Sequence, residues 1–200
     1  MTIGIEATKA FEKEKTGVGW YAYSMVKELA NLVRSEDELY LYVNPRAQIF
    51  NSQFSIFNKN HNIKVKKLHW PVGKLWAQGR LSGEMVLNQP DVLFIPCGIP
   101  PLISPKKLVV MVHDLGFKKY PEVYSPQELR LQEWGLAQTL KKAWKIIVPS
   151  EFTKKEIVKY YPDYDAAKIH VVPHGVKQEK LEIRNWKLEK KKNTLLYIGR

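Results

Sequence analysis

Apolar and polar positions along the chain fall into two alternating textures: short β-branched runs, and longer stretches with apolar residues on one face. Thr2–Ala7 reads as a first strand, and Trp20–Ser35 as a helix with Ala22, Val26, Leu29 and Val33 on one face. Glu38–Val43 is a second strand, stopped by Asn44-Pro45, and Ile63–Leu68 a weaker third. A helix is predicted from Lys74 to Leu87. Val92–Pro96 and Leu108–Val112 are compact apolar runs, the pattern of strands buried on both faces. Ser125, Pro126 and Glu128 form a capping box that opens a helix to Ala143. Lys145–Val148 is a further strand, Ser150 caps a helix ending at Tyr161 before Pro162, and Ile169–Val172 is the last strand of the unit. Strands alternating with helices predict a parallel α/β sheet flanked by helices.

Domain organisation follows from where that texture changes. Residues 1–176 form one α/β domain. Residues 177–193 are polar, end in Lys190-Lys191-Lys192, and read as a linker or peripheral segment. Thr194–Ile198 then begins a fresh strand, so 194–200 is expected to be the start of a second, truncated domain.

Composition narrows the class. Of 200 residues, 44% are hydrophobic and 26% charged, enough for a full globular core. No apolar run is long enough to span a membrane as a helix, the N-terminus lacks a secretory pattern, and Cys97 is the one cysteine, so cytoplasmic residence is expected. The formal net charge of +12 predicts attraction to a polyanion: nucleic acid, anionic lipid or a phosphorylated small molecule. Surface lysine serving no ligand explains it equally well.

Ligands of parallel sheets bind beyond the C-terminal strand ends. Thr16-Gly17-Val18-Gly19 lies there, opening the first helix, where glycines and free amides suit a phosphate or sugar hydroxyl; a plain helix-starting turn is the alternative. His113-Asp114 leaves a buried strand at the same edge. His113 is tunable near neutral pH and Asp114 can accept from sugar hydroxyls, against the alternative of a histidine satisfied by backbone carbonyls. Cys97-Gly98-Ile99-Pro100-Pro101 reads as a loop that shapes a pocket, and Val172-Pro173-His174-Gly175-Val176 as a crossover. No histidine or cysteine spacing indicates a metal. Away from that edge, Lys64, Lys66, Lys67, Trp70, Lys74, Trp76 and Arg80 interleave cations with indoles. That pattern suits an anionic membrane surface or a nucleic-acid groove, or else lysine stems packed around buried tryptophans.

Several segments together resemble the family 4 retaining glycosyltransferases of the GT-B fold. They are Gly4-Ile5-Glu6-Ala7 with Thr16–Tyr21, His113-Asp114-Leu115 with Tyr120-Pro121-Glu122 and Ser125, Val148–Thr153, Lys168–Val176 and Leu196–Arg200. The resemblance implies the Rossmann-like N-terminal half of such an enzyme. The whole would move a hexose-type sugar from a nucleotide-diphosphate donor to a glycan or lipid-linked acceptor, with retention and without a metal or other cofactor. By motif match, Gly17, Gly19 and Arg200 would face the donor, with Arg200 neutralising the leaving diphosphate. His113 would act at the transferred sugar, and Asp114 and Trp20 would contact the acceptor. Trp20, His174 and Lys177 depart from the usual basic residue, asparagine and aspartate. The isolated fragment is expected to be inactive. An epimerase-like enzyme on the same fold and a basic nucleic-acid-binding module are the rival readings.

Overall fold

A computed structural model describes residues 1–46, 61–71 and 75–175. Seven strands form one sheet: β1 (Thr2–Glu6), β2 (Glu38–Val43), β3 (Ile63–Lys67), β4 (Val92–Ile95), β5 (Lys107–Met111), β6 (Lys145–Val148) and β7 (Ile169–Val171). Their order is β3-β2-β1-β4-β5-β6-β7, and every pairing is parallel. The expected parallel α/β architecture is therefore the observed one. Strand order reverses direction between β1 and β4, so the loops after these two strands diverge to opposite faces and leave a crevice at the C-terminal edge.

The period-2 geometry of the strands sorts their side chains into two cores. On one face, Leu39, Leu41 and Val43 of β2 pack with Ile5, Phe94 and Met111. On the other, Tyr42 packs with Leu93, Ile95, Leu108 and Val110. The first face is covered by α1 (Thr8–Phe11) and α2 (Gly17–Leu32), which contribute Ala10, Phe11, Ala22, Val26 and Ala30. The second takes Leu81 and Met85, the latter from α3 (Ser82–Leu87), Leu136 from α5 (Pro126–Lys142) and Ile157 from α6 (Glu151–Tyr160). The short α4 (Gly116–Lys119) follows β5.

The local signals act as their chemistry requires at the helix starts. Ser125 Oγ accepts from the Glu128 amide at 3.3 Å and Glu128 Oε2 accepts from the Ser125 amide at 2.9 Å, completing the box that opens α5. Ser150 Oγ likewise accepts from the Thr153 amide at the start of α6.

Three expectations shift. The first long helix begins at Gly17, not Trp20, because Trp20 N donates to Thr16 O at 2.9 Å and both glycines are already helical. It ends at Leu32, so Val33 lies beyond it, and Ala30 takes the buried place on its inner face. The connection before it holds an extra helix, α1. The predicted 74–87 helix is a π-helical turn at Ala77–Leu81 running into α3; Lys74 lies outside the described residues. Gly79 lies so close over the Trp70 indole that a Cβ there would sit 2.4 Å from a ring carbon. The linker at 177–193 and the strand at 194–200 also lie outside the described residues.

Candidate functional site

At the C-terminal edge, three rings from three separate segments meet. Tyr21, in the second turn of α2, stands edge-on to His113 just after β5, with ring centroids 5.0 Å apart. His174, beyond β7, lies 4.6 Å from Tyr21 and 5.7 Å from His113. His113 Nε2 sits 2.9 Å from the carbonyl oxygen of Pro96 at the end of β4. A carbonyl can only accept, so Nε2 carries the hydrogen. In the neutral ring Nδ1 is then an acceptor. Burial holds the His113 pKa below its ordinary value, so the neutral ring is the form present at pH 7. Burial also pushes the Tyr21 hydroxyl up to about 12, with the Cys97 thiol beside it a lesser cause.

The two glycines at the start of α2 play different parts. Gly17 lies one turn before Tyr21 on the same helix face, and a Cβ there would meet nothing within 4 Å. Space is thus open where the helix N-terminus presents its amides beside the ring cluster. Gly19 is buried, and a Cβ would meet the Lys9 carbonyl oxygen at 3.1 Å and Lys15 Cβ at 3.3 Å. Close approach of α1 to α2 explains glycine at 19.

The remaining residues singled out from sequence are dispersed. Asp114 is not drawn into the ring cluster; its Oδ1 accepts from the Gly116 amide at 2.8 Å, and it lines a separate cleft with Lys119, Tyr120 and Phe152 between α4 and α6. Trp20 is 57% exposed, its ring set edge-on to Tyr23 with Lys15 Nζ 5.2 Å above it. Arg200 lies outside the described residues.

The basic-aromatic segment is tied into the fold at most of its described positions. Lys64 pairs with Glu38, while Lys66 and Arg80 pair with the buried Glu84 at 3.3 and 3.1 Å. Trp76 is a core residue whose Nε1 donates to Leu68 O at 2.8 Å. Lys66 Nζ also lies 4.2 Å over the Tyr40 ring, so these described residues are engaged within the fold.

Sequence reasoning missed a second part of this edge. Across the Pro96–Cys97 peptide from the rings opens a cleft of about 190 Å³, lined by Glu6, Lys9, Asn44, Trp76, Cys97 and Gly98 among others. Glu6 ends β1, is 8% exposed, and accepts on Oε1 from the Thr8 amide at 3.1 Å. Burial pushes its pKa up to about 7, against hydrogen bonds from Thr8 that pull the other way. Burial likewise raises the Cys97 thiol to about 12, so it is protonated and a poor nucleophile. Gly98 turns the chain here at φ +96°, a conformation that favours glycine. A signal for Glu6 existed: a carboxylate closing an otherwise apolar buried strand is rare without a use.

A family model described as Glycosyltransferase Family 4 matches residues 15–180. The chain is also similar to the O-antigen chain mannosyltransferase B of Escherichia coli, at 25% identity over 182 residues, covering 82% of this chain and 45% of that protein. The chain thus spans about half the length of the curated relative it matches. With a parallel sheet beneath and the family match running from the loop before Gly17 past His174, this chain belongs to glycosyltransferase family 4.

Proposed function

We propose that the protein transfers a hexose from a nucleotide-diphosphate donor to a hydroxyl of a glycan or lipid-linked acceptor, with retention, and that residues 1–176 form its acceptor side. The observation that carries this reading is the His113 imidazole, fixed by Pro96 O and flanked by Tyr21 beside the open N-terminus of α2. In this reading a hydroxyl of the transferred hexose donates to His113 Nδ1. The donor diphosphate lies toward the α2 amides at Gly17, where the helix dipole favours negative charge. The acceptor oxygen bonds to the anomeric carbon as the bond to the diphosphate oxygen breaks, and the acceptor's proton leaves with the diphosphate. Arg200 would neutralise the charge developing there, as the family resemblance implies, with no metal needed.

The mannosyltransferase relative makes mannose the first donor sugar to try. Family membership favours this reading over the epimerase-like and nucleic-acid alternatives. An acceptor carried on lipid would bring the protein to an anionic surface, and the net charge of +12 is what supports that part. Incubation of the full-length protein with NDP-hexoses and methyl glycosides, followed by NMR of the product, tests the reading. The reading requires an anomeric configuration matching the donor's; an inverted product, or none from any donor, would sink it.

A further inference from the structure

Glu6 accepts from the Thr8 amide at the start of α1, and the rest of its surroundings are unusual for a carboxylate. A carboxylate 8% exposed, next to the apolar Ile5 and Ala7, is costly to ionise, and among the described residues no ion pair to it occurs. The nearby ammonium of Lys9 is 2.9 Å from Glu12, so its charge is shared elsewhere. The surroundings of Glu6 are those of a small ligand site. The cleft joins the carboxylate to the indole of Trp76, whose Nε1 is committed to Leu68 O, leaving ring surface as an apolar wall. Asn44 adds an amide at the end of β2, and Gly98 leaves its side open, with nothing within 4 Å of where a Cβ would stand.

Ligand chemistry follows from that lining. An anion would be repelled by the carboxylate. A metal ion is poorly served, since no three histidine, cysteine, aspartate or glutamate side chains gather among the described residues. A neutral ring with hydroxyls on its edge and C–H groups on its face satisfies both walls: hydroxyls donate to Glu6 and the C–H face lies on Trp76. At about 190 Å³ the cleft is smaller than the ~300–1,000 Å³ of drug-sized ligand pockets, which limits it to about one ring.

We propose that Glu6 is a specificity-determining residue of this protein, accepting hydrogen bonds from hydroxyls of one pyranose ring held in the Trp76–Cys97 cleft, and that this ring is the acceptor's. The identity of the ring as acceptor rests on the transferase reading; the capacity of the cleft for a sugar ring rests on its own lining. Cys97 lines the cleft and the preceding residue, Pro96, holds His113, so a ring on Glu6 and a hexose on His113 would be neighbours.

The test uses the full-length protein with methyl α-D-mannopyranoside, and the corresponding glucoside and galactoside, as probes. Saturation-transfer NMR reads binding, and labelled transfer from NDP-hexoses reads acceptor and donor KM separately. Glu6→Gln keeps the acceptor for the Thr8 amide, and Glu6→Leu suits a buried strand end, so a fold defect in one does not disable the test. The inference predicts that both variants melt as cooperatively as wild type, lose probe binding or raise acceptor KM about tenfold or more, and leave donor KM unchanged. Glu6→Asp should recover part of the loss. Unchanged probe binding and acceptor KM in both variants would overturn the inference, as would a fall in kcat with acceptor KM unchanged. Wild-type probe binding lost on Glu6→Leu, with no transfer from any donor, would retain the sugar site and defeat the transferase reading instead.

Discussion

His113 Nε2 is held 2.9 Å from the carbonyl oxygen of Pro96, so the end of β4 fixes the tautomer of a histidine that follows β5. Two adjacent strands thereby set one imidazole, with Nδ1 left as the acceptor in the neutral ring. A ring placed on strand ends rather than on a long loop is held rigidly.

The protonation of that ring is directly measurable. Burial lowers the His113 pKa, so its resonances should titrate below the ordinary histidine midpoint in an NMR pH series, while the shift of Nε2 reports a hydrogen held at all pH values. Transfer that depends on neutral His113 should then fall on the acid side, as the ring becomes protonated. A midpoint above the ordinary value would contradict the assigned environment.

Glu6 makes an opposite contribution to stability. Its folded pKa of about 7 stands above the unfolded 4.5, so the folded state holds the proton more tightly. That contribution is present in full below pH 4.5, declines as pH rises, and is lost above about pH 7, at a cost of roughly 3 kcal/mol from the two values. Glu6→Gln should therefore melt higher than wild type at pH 8, with the difference shrinking towards pH 4.5. Calorimetry at the two pH values checks it.

Gly79 tests the packing at the π turn. A methyl group at 79 would meet the Trp70 ring at 2.4 and 2.6 Å, forcing indole and helix apart. Gly79→Ala should destabilise by about 1–3 kcal/mol, as overpacking does. Chemical denaturation measures it, and since Trp76 follows Trp70 in the same cluster, weaker probe binding should accompany it.

The capping box offers a control remote from the ring cluster. Ser125→Ala removes the acceptor for the Glu128 amide and should cost about 1 kcal/mol of stability. Acceptor and donor KM should be unchanged, which a transfer assay below the melting range would establish.

Much of the fold was legible because its signals are local. β2 reads as a strand from the alternation of Leu39, Leu41 and Val43, and α5 starts where Ser125, Pro126 and Glu128 say it must. What sequence did not convey was contact across the sheet edge. Glu6 and Asn44 are 38 positions apart and share a cleft only because β1 and β2 are parallel neighbours. Tyr21, His113 and His174 lie far apart in the chain and meet only through the fold. Asp114, adjacent to His113 in the chain, turns away to cap Gly116 instead. Nor does spacing in the tryptophan-rich segment reveal that Glu84 answers both Lys66 and Arg80.

The central claim is that His113 acts on the transferred sugar at this edge, and kcat/KM for hexose transfer by the full-length protein and its His113→Ala variant tests it most directly. Loss of a buried hydrogen bond to the reacting sugar predicts a fall of about tenfold to a hundredfold, read below the melting range of both proteins because the variant also loses the bond to Pro96. Transfer by the variant at the wild-type rate, from any donor the protein accepts, would contradict the account.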